Sequence, residues 1–275
     1  MFGKIQNYRM DEQKVRISFE NGEGIVEVIT DEIINVFAEI TMKGHRSKAV
    51  SDQVRKNVDF NITKNQDSIV IQTRILNIEV SDDFKVDFYK KDGTLLCADY
   101  RGGRVQTEEL SQKFIDMMEA EGHNTSDIMD HEHRIQVIKK LEGDEAFYGL
   151  GDKTGFLNKR NYSYINWNVD IPFAHNDAYK SLYKSIPFFM TLRKRGVFGI
   201  FFDNTYKSWF DLGKENDGYY YFGADEGNLD YYFIYGENIP EVVNGYTELT
   251  GRAPLPQLWT ADSPASTAVA TELFR

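Results

Sequence analysis

Apolar residues recur at every second position through most of the first half of the chain, and turn residues close each run. Val15, Ile17 and Phe19 alternate with Lys14, Arg16, Ser18 and Glu20, and Asn21-Gly22 then leads into residues 24–30. A period of two is that of a half-buried strand, and Asn-Gly supplies the positive φ angles of a tight type I′ turn, so a hairpin is predicted here. Ile69, Ile71 and Thr73 repeat the pattern, and Asp92-Gly93 closes another hairpin after Val86 and Phe88. Ile135 and Val137 continue it, with Lys139 departing from it before Leu141. In the second half, residues 185–192 and 197–203 flank Arg193-Lys194-Arg195-Gly196 as a hairpin, and the aromatic runs 219–222 and 229–235 are predicted to make a further pair. Short strands separated by turns imply antiparallel sheets and not βαβ units. The expected fold class is mainly β, an antiparallel β-sandwich with one or two short helices.

Two segments break the strand rhythm. Leu110, Phe114, Met117 and Met118 fall at i, i+4, i+7 and i+8, one helical face over 107–120, with Gly122 as a stop. Residues 121–132 are polar and acidic, so 103–133 is read as a helix plus loop inserted at the sandwich edge. A second helix fits 240–249, with Val242, Val243, Tyr246 and Leu249 on one side, Pro240 in the first turn and Gly251 after the last.

Composition narrows the classes. At 275 residues the chain is long enough to bury about three-quarters of its unfolded surface. Its 43 acidic against 32 basic residues give a net charge of −11, which disfavours nucleic acid and anionic membranes but not neutral sugars. The single cysteine, Cys97, excludes an intramolecular disulfide and a cysteine-based zinc cluster, and its place after Leu95 and Leu96 implies a buried, inert thiol. The N-terminus has no apolar signal stretch and no run approaches the ~18 residues of a membrane span, so a cytoplasmic protein is expected.

Few residues carry chemistry on their face. His131 and His133 flank Glu132 and would share one face of a strand, but a metal needs a third ligand from elsewhere, and a solvated edge of the acidic insertion is the stronger reading. There is no G-x-S-x-G, H-E-x-x-H or P-loop, and Gly149-Leu150-Gly151 reads as a glycine-rich strand end or turn. Glycoside chemistry needs two carboxyls about 5–9 Å apart, and no pair stands out by spacing. The richest stretch is 162–177, where Trp167 lies with Asn166, Asn168 and Asp170. An aromatic plane for C–H faces and fixed polar groups for hydroxyls are what a sugar needs, although an ordinary core tryptophan beside a surface loop is an equal reading.

A collinear series of motifs carries the resemblance that decides between such readings. Phe147-Tyr-Gly-Leu-Gly-Asp-Lys-Thr-Gly155 resembles the F-Y-G-L-G-E-K-T-G stretch of the glycoside hydrolase family 31 α-glucosidases. The Asn166-Trp-Asn-x-Asp170 run, residues 183–189, residues 199–205, residues 229–233 and residues 246–256 are similar to the same family, in the same order.

The resemblance implies a sandwich of the galactose mutarotase type over residues 1–254, then entry at 255–260 into the first strand of a (β/α)₈ barrel that carries both catalytic aspartates of a retaining mechanism. Only 16 residues follow Trp259, against about 250 in a barrel, so a chain without its catalytic machinery is expected, inactive alone and in need of no cofactor. Residues 261–275 depart from the family pattern and are read as a disordered tail, produced by a frameshift or an engineered truncation. A sandwich loop over the barrel mouth is implied at Asn168, Asp170 and Pro172, with Asp170 as the acidic contact to an α-glucoside. Surface intended for the barrel would be left open to self-association. The alternatives are a free-standing carbohydrate-binding module and a mutarotase-like epimerase. The latter lacks a glutamate to match His175, the only histidine near the polar-aromatic stretch.

Overall fold

The expected alternation is realised strand by strand. The computed structural model describes residues 2–44, 47–54, 57–103, 120 and 135–255. In β2 (Lys14–Phe19), Val15, Ile17 and Phe19 are buried while Lys14, Arg16 and Ser18 lie toward solvent. The strands β1 (Ile5–Asp11), β2, β3 (Gly22–Val28), β4 (Ile33–Ala38), β17 (Leu229–Gly236), β14 (Gly196–Phe202), β13 (Ser185–Arg193) and β11 (Ala146–Gly151) form one eight-stranded sheet in that order. Its hydrogen-bonded neighbours are all antiparallel.

The facing layer has two parts. One is β5 (Asn61–Lys64), β6 (Ser68–Gln72), β7 (Leu76–Ser81), β8 (Lys85–Lys90) and β9 (Leu95–Cys97). The other is β10 (Ile135–Lys140), β16 (Tyr219–Ala224), β15 (Ser208–Asp211) and β12 (Ser163–Asn166). Among the described residues one backbone bridge, Asp99 to Lys139, joins them, flanked by the Tyr100 N–H to Ile138 O (2.9 Å) and Lys140 N–H to Ala98 O (2.8 Å) bonds. Aromatic rings fill the space between layers: Phe88 stacks on Phe233 with centroids 4.0 Å apart, and Tyr220 meets Phe147 edge-on at 5.1 Å. The molecule is a β-sandwich.

One helix, α1 (Ile239–Thr250), packs on the outer face of the large sheet. Val242 and Leu249 bury against Phe188, Val197, Phe201, Tyr232 and Ile234, and Tyr246 stacks on Phe188 at 3.9 Å. Hence β14 and β17 are buried on both faces, and alternation gives way to continuous apolar runs. Val243, expected on the packed side, is exposed, because it lies about 100° round the helix from Val242.

Three further expectations need correction. The β2–β3 turn is Glu20-Asn21, one residue earlier than an Asn21-Gly22 turn, since Phe19 stands opposite Gly22. Runs 219–222 and 229–235 do not pair: β16 lies between β10 and β15, whereas β17 lies between β4 and β14 in the other layer. The short connection between them crosses the sandwich, and their aromatic character reflects burial between sheets rather than partnership. Lys139 does not depart from the alternation. It is fully buried on the inward side of β10, its ammonium 2.8 Å from Asp99 and donating to Tyr231 Oη at 3.0 Å.

Cys97 is buried as expected, and burial pushes its thiol up to about 11. The expected helix at 107–120 (apart from Ala120, which is helical), His131, His133 and residues 256–275 lie outside the described residues. Among those described, no helix is long and apolar enough to cross a membrane.

Candidate functional site

The Gly149-Leu150-Gly151 run is a bulge at the end of the edge strand β11. All three residues have positive φ (129°, 70° and 78°), and the pairing with β13 shifts register there. A Cβ at Gly149 would stand 2.5 Å from the Phe188 carbonyl oxygen, and one at Gly151 2.6 Å from that of Lys184, so only glycine lets the two backbones approach. The bulge turns the chain off the sheet and beneath the loop that follows β12. There the Lys153 ammonium donates to Ile165 O (3.1 Å), the Thr154 hydroxyl to Tyr179 O (2.9 Å), and Lys159 and Tyr164 both donate to Thr154 O (2.9 Å). Burial pushes the Lys153 pKa down to about 8, against the opposing pull of Asp152.

Residues 167–184 form an irregular loop held across its base. Val169 N–H donates to Leu182 O (3.1 Å), the Tyr183 hydroxyl to Ile171 O (2.7 Å), and Ser181 Oγ to Trp167 O. His175 Nε2 shares a hydrogen bond with Tyr183 Oη (2.9 Å) and is exposed. Asn168, Asp170 and Pro172 all lie exposed on this loop. Asn168 borders a pocket, whereas Asp170 and Pro172 are not among its lining residues.

That pocket, about 710 Å³, is where the motifs meet. Asn166 to Asn168 contribute from the end of β12, Ser185 to Pro187 from the start of β13, Phe201 and Asp203 from the end of β14, and Tyr246 and Thr250 from α1. Asn166, Phe201, Asp203 and Ser208 are buried and make the floor, while Trp167, Asn168, Thr205 and Tyr206 are exposed at the rim. Asn166 is only 5% exposed, yet among the described residues its carboxamide oxygen and nitrogen have no hydrogen-bond partner, and neither does the Ser185 hydroxyl. Unsatisfied amides are rare in native interiors.

Among the described residues one carboxylate, Asp203, lines the pocket. Among the described residues no group of three or more His, Cys, Asp or Glu is placed to hold a metal. Of the residues singled out in the sequence the pocket gathers Asn166, Trp167 and Asn168, but not Asp170 or Pro172. Ser185, Asp203 and Tyr246 lay inside the motif series but carried no chemical signal of their own, and Tyr206 lay just beyond it.

Comparison with known proteins bears on the family and the fold. The chain is 33% identical over 249 residues to α-glucosidase 2 of Bacillus thermoamyloliquefaciens, which covers 88% of this chain and 28% of that protein. It is 30% identical over 148 residues to an α-xylosidase of Lactiplantibacillus pentosus, covering 53% of this chain and 18% of that one. Among solved structures, the family 31 dextranase of Flavobacterium johnsoniae complexed with glucose superposes with a TM-score of 0.75 at 30% identity, over 93% of this chain and 29% of the dextranase. The chain thus spans under a third of the length of these relatives. Residues 24–211 match the family model described as the glycosyl hydrolase 31 N-terminal galactose mutarotase-like domain. With that match over more than half of the chain, the chain belongs to the N-terminal galactose mutarotase-like domains of glycoside hydrolase family 31.

Proposed function

We propose that this chain is the accessory N-terminal domain of a retaining α-glucosidase that hydrolyses terminal α-linked glucose, and that it is inactive alone. The observation that carries the reading is the 33% identity to an α-glucosidase along most of this chain but only 28% of that enzyme. A double-displacement mechanism needs a nucleophile and an acid/base about 5 Å apart. Among the described residues the motif pocket offers one carboxylate, Asp203, so both catalytic acids are assigned to a barrel beyond residues 1–254. The sandwich then contributes the loop of Asn168, Asp170 and Pro172 to the substrate pocket and a packing surface for the barrel. Without that neighbour, apolar surface stays open and the chain self-associates.

The test is hydrolysis of chromogenic α-glucosides and α-xylosides by this chain and by a form extended through the barrel. Turnover by the extended form alone, faster on the glucoside, is expected; turnover by this chain would place a carboxylate pair in the sandwich. In the extended form, Asp170→Ala should raise KM or shift chain-length preference with kcat largely kept. Unchanged kinetics would remove Asp170 from the substrate pocket.

A further inference from the structure

Lys153 and Lys159 bring two ammonium groups to the short segment between the β11 bulge and β12, and neutral carbonyl oxygens receive them. Lys153 donates to Ile165 O at 3.1 Å, and Lys159 donates to Thr154 O at 2.9 Å while lying 5.5 Å over the Tyr164 ring. Among the described residues neither forms an ion pair. The carboxylates in range act from a distance, Asp152 on Lys153 and Asp177 on Lys159. Burial keeps the Tyr164 hydroxyl un-ionised, so it adds no negative charge. An ammonium held by neutral dipoles beside a second ammonium gains by losing its proton, and the free amine is a nucleophile. Hence burial, with the Lys159 charge adding to it, is what brings Lys153 down to about 8. Other enclosed lysines differ from it. Lys139 is fully buried and held charged by Asp99 at 2.8 Å, and Lys159 is 7% exposed. Lys153 is half-buried and is followed closely by the exposed residues 155–158.

We propose that Lys153 is a modification site of the sandwich, acylated without an enzyme by small acyl phosphates. The amine lone pair attacks the acyl carbon, and the new C–N bond replaces the C–O bond to phosphate. Phosphate leaves with that electron pair and takes up the proton that the amine gives up. Two cations with no carboxylate in contact favour an anionic acyl donor over a neutral one. The product amide keeps one N–H, enough for the bond to Ile165 O, and loses the charge that faces Lys159. Acylation therefore preserves the tie beneath the loop after β12 and relieves the repulsion at its base. The site requires neither a barrel nor a sugar, and it stands apart from the α-glucosidase reading above.

The experiment treats this 275-residue chain with acetyl phosphate to low total labelling, then digests it and quantifies each lysine by mass spectrometry. Exposed Lys194 and Lys214 serve as references. At about pH 7, Lys153 should acetylate at least about tenfold faster than either reference, because more of its amine is unprotonated. As pH is raised, the Lys153 rate should level off by about pH 9 while the reference rates keep climbing. In guanidinium chloride, which unfolds the chain, the preference for Lys153 should vanish. A Lys153 rate no faster than the references would overturn the proposal. So would a rate that climbs in parallel with theirs at every pH, or a preference that survives unfolding. None of these results bears on hydrolysis by the extended form, so the two readings fail separately.

Discussion

A lysine with no exposed surface has to be explained by what surrounds it. Burial by itself pushes the Lys139 pKa down, but the Asp99 carboxylate at 2.8 Å, with Tyr231 beside it, outweighs that and holds the group above the ordinary lysine range. Asp99 is itself buried and also accepts the Val86 N–H at 2.6 Å. Removing one partner of such a pair strands the other charge in the core. Lys139→Met should therefore cost about 3–5 kcal/mol in urea unfolding, and Lys139→Met with Asp99→Asn should recover much of it. A single variant within about 1 kcal/mol of wild type would show that water already reaches the pair. In the sequence Lys139 looks like a break in the pattern because polarity signals exposure, and nothing local announces an aspartate forty positions earlier.

At the scale of elements, α1 shows what short-range chemistry specifies. The Asn238 side chain accepts the Glu241 N–H at 3.0 Å, Glu241 reaches back to the Glu237 N–H at 2.9 Å, and Pro240 occupies the first turn. Asn238→Ala should lower stability by about 1 kcal/mol, read as a fall in Tm with the fold unchanged. If Tm does not move, the burial of Val242 against the large sheet is enough to fix the helix start. The helix was legible because Pro240, Gly251 and the spacing of Val242 and Leu249 all act within a few turns. Strands β2 and β6 were legible for the same kind of reason, each alternating buried apolar residues with partly exposed ones. The partners of β16 and β17 were not, because burial of both faces erases the period that reports which layer a strand joins. The pocket shows the same limit more sharply. Asn166, Ser185, Asp203 and Tyr246 span some eighty positions, and only the path of four elements brings them together.

For the whole molecule, exposed apolar side chains gather on the two loops that are hydrogen-bonded to each other. Phe156 is 78% exposed and Leu157 79%, on the loop after β11, and Phe173 is 73% exposed on the loop after β12. Apolar surface of this kind drives association, so light scattering should show a mean mass that rises with concentration, and Phe156→Ser with Leu157→Ser should reduce the rise. A constant monomer mass at high concentration would mean these loops tolerate water as they stand. The way the two halves of the chain are joined has a different consequence. Strands β1–β9 and β10–β17 meet along a full ladder in one layer, where β4 lies beside β17, but in the other layer the backbone pairing among the described residues is the Asp99–Lys139 bridge, with side-chain contacts such as Cys97 to Tyr220 around it. The same two residues form the buried ion pair. The sandwich is therefore a book with a continuous spine and a single clasp, and if it opens short of unfolding, it opens where two charges wait for water.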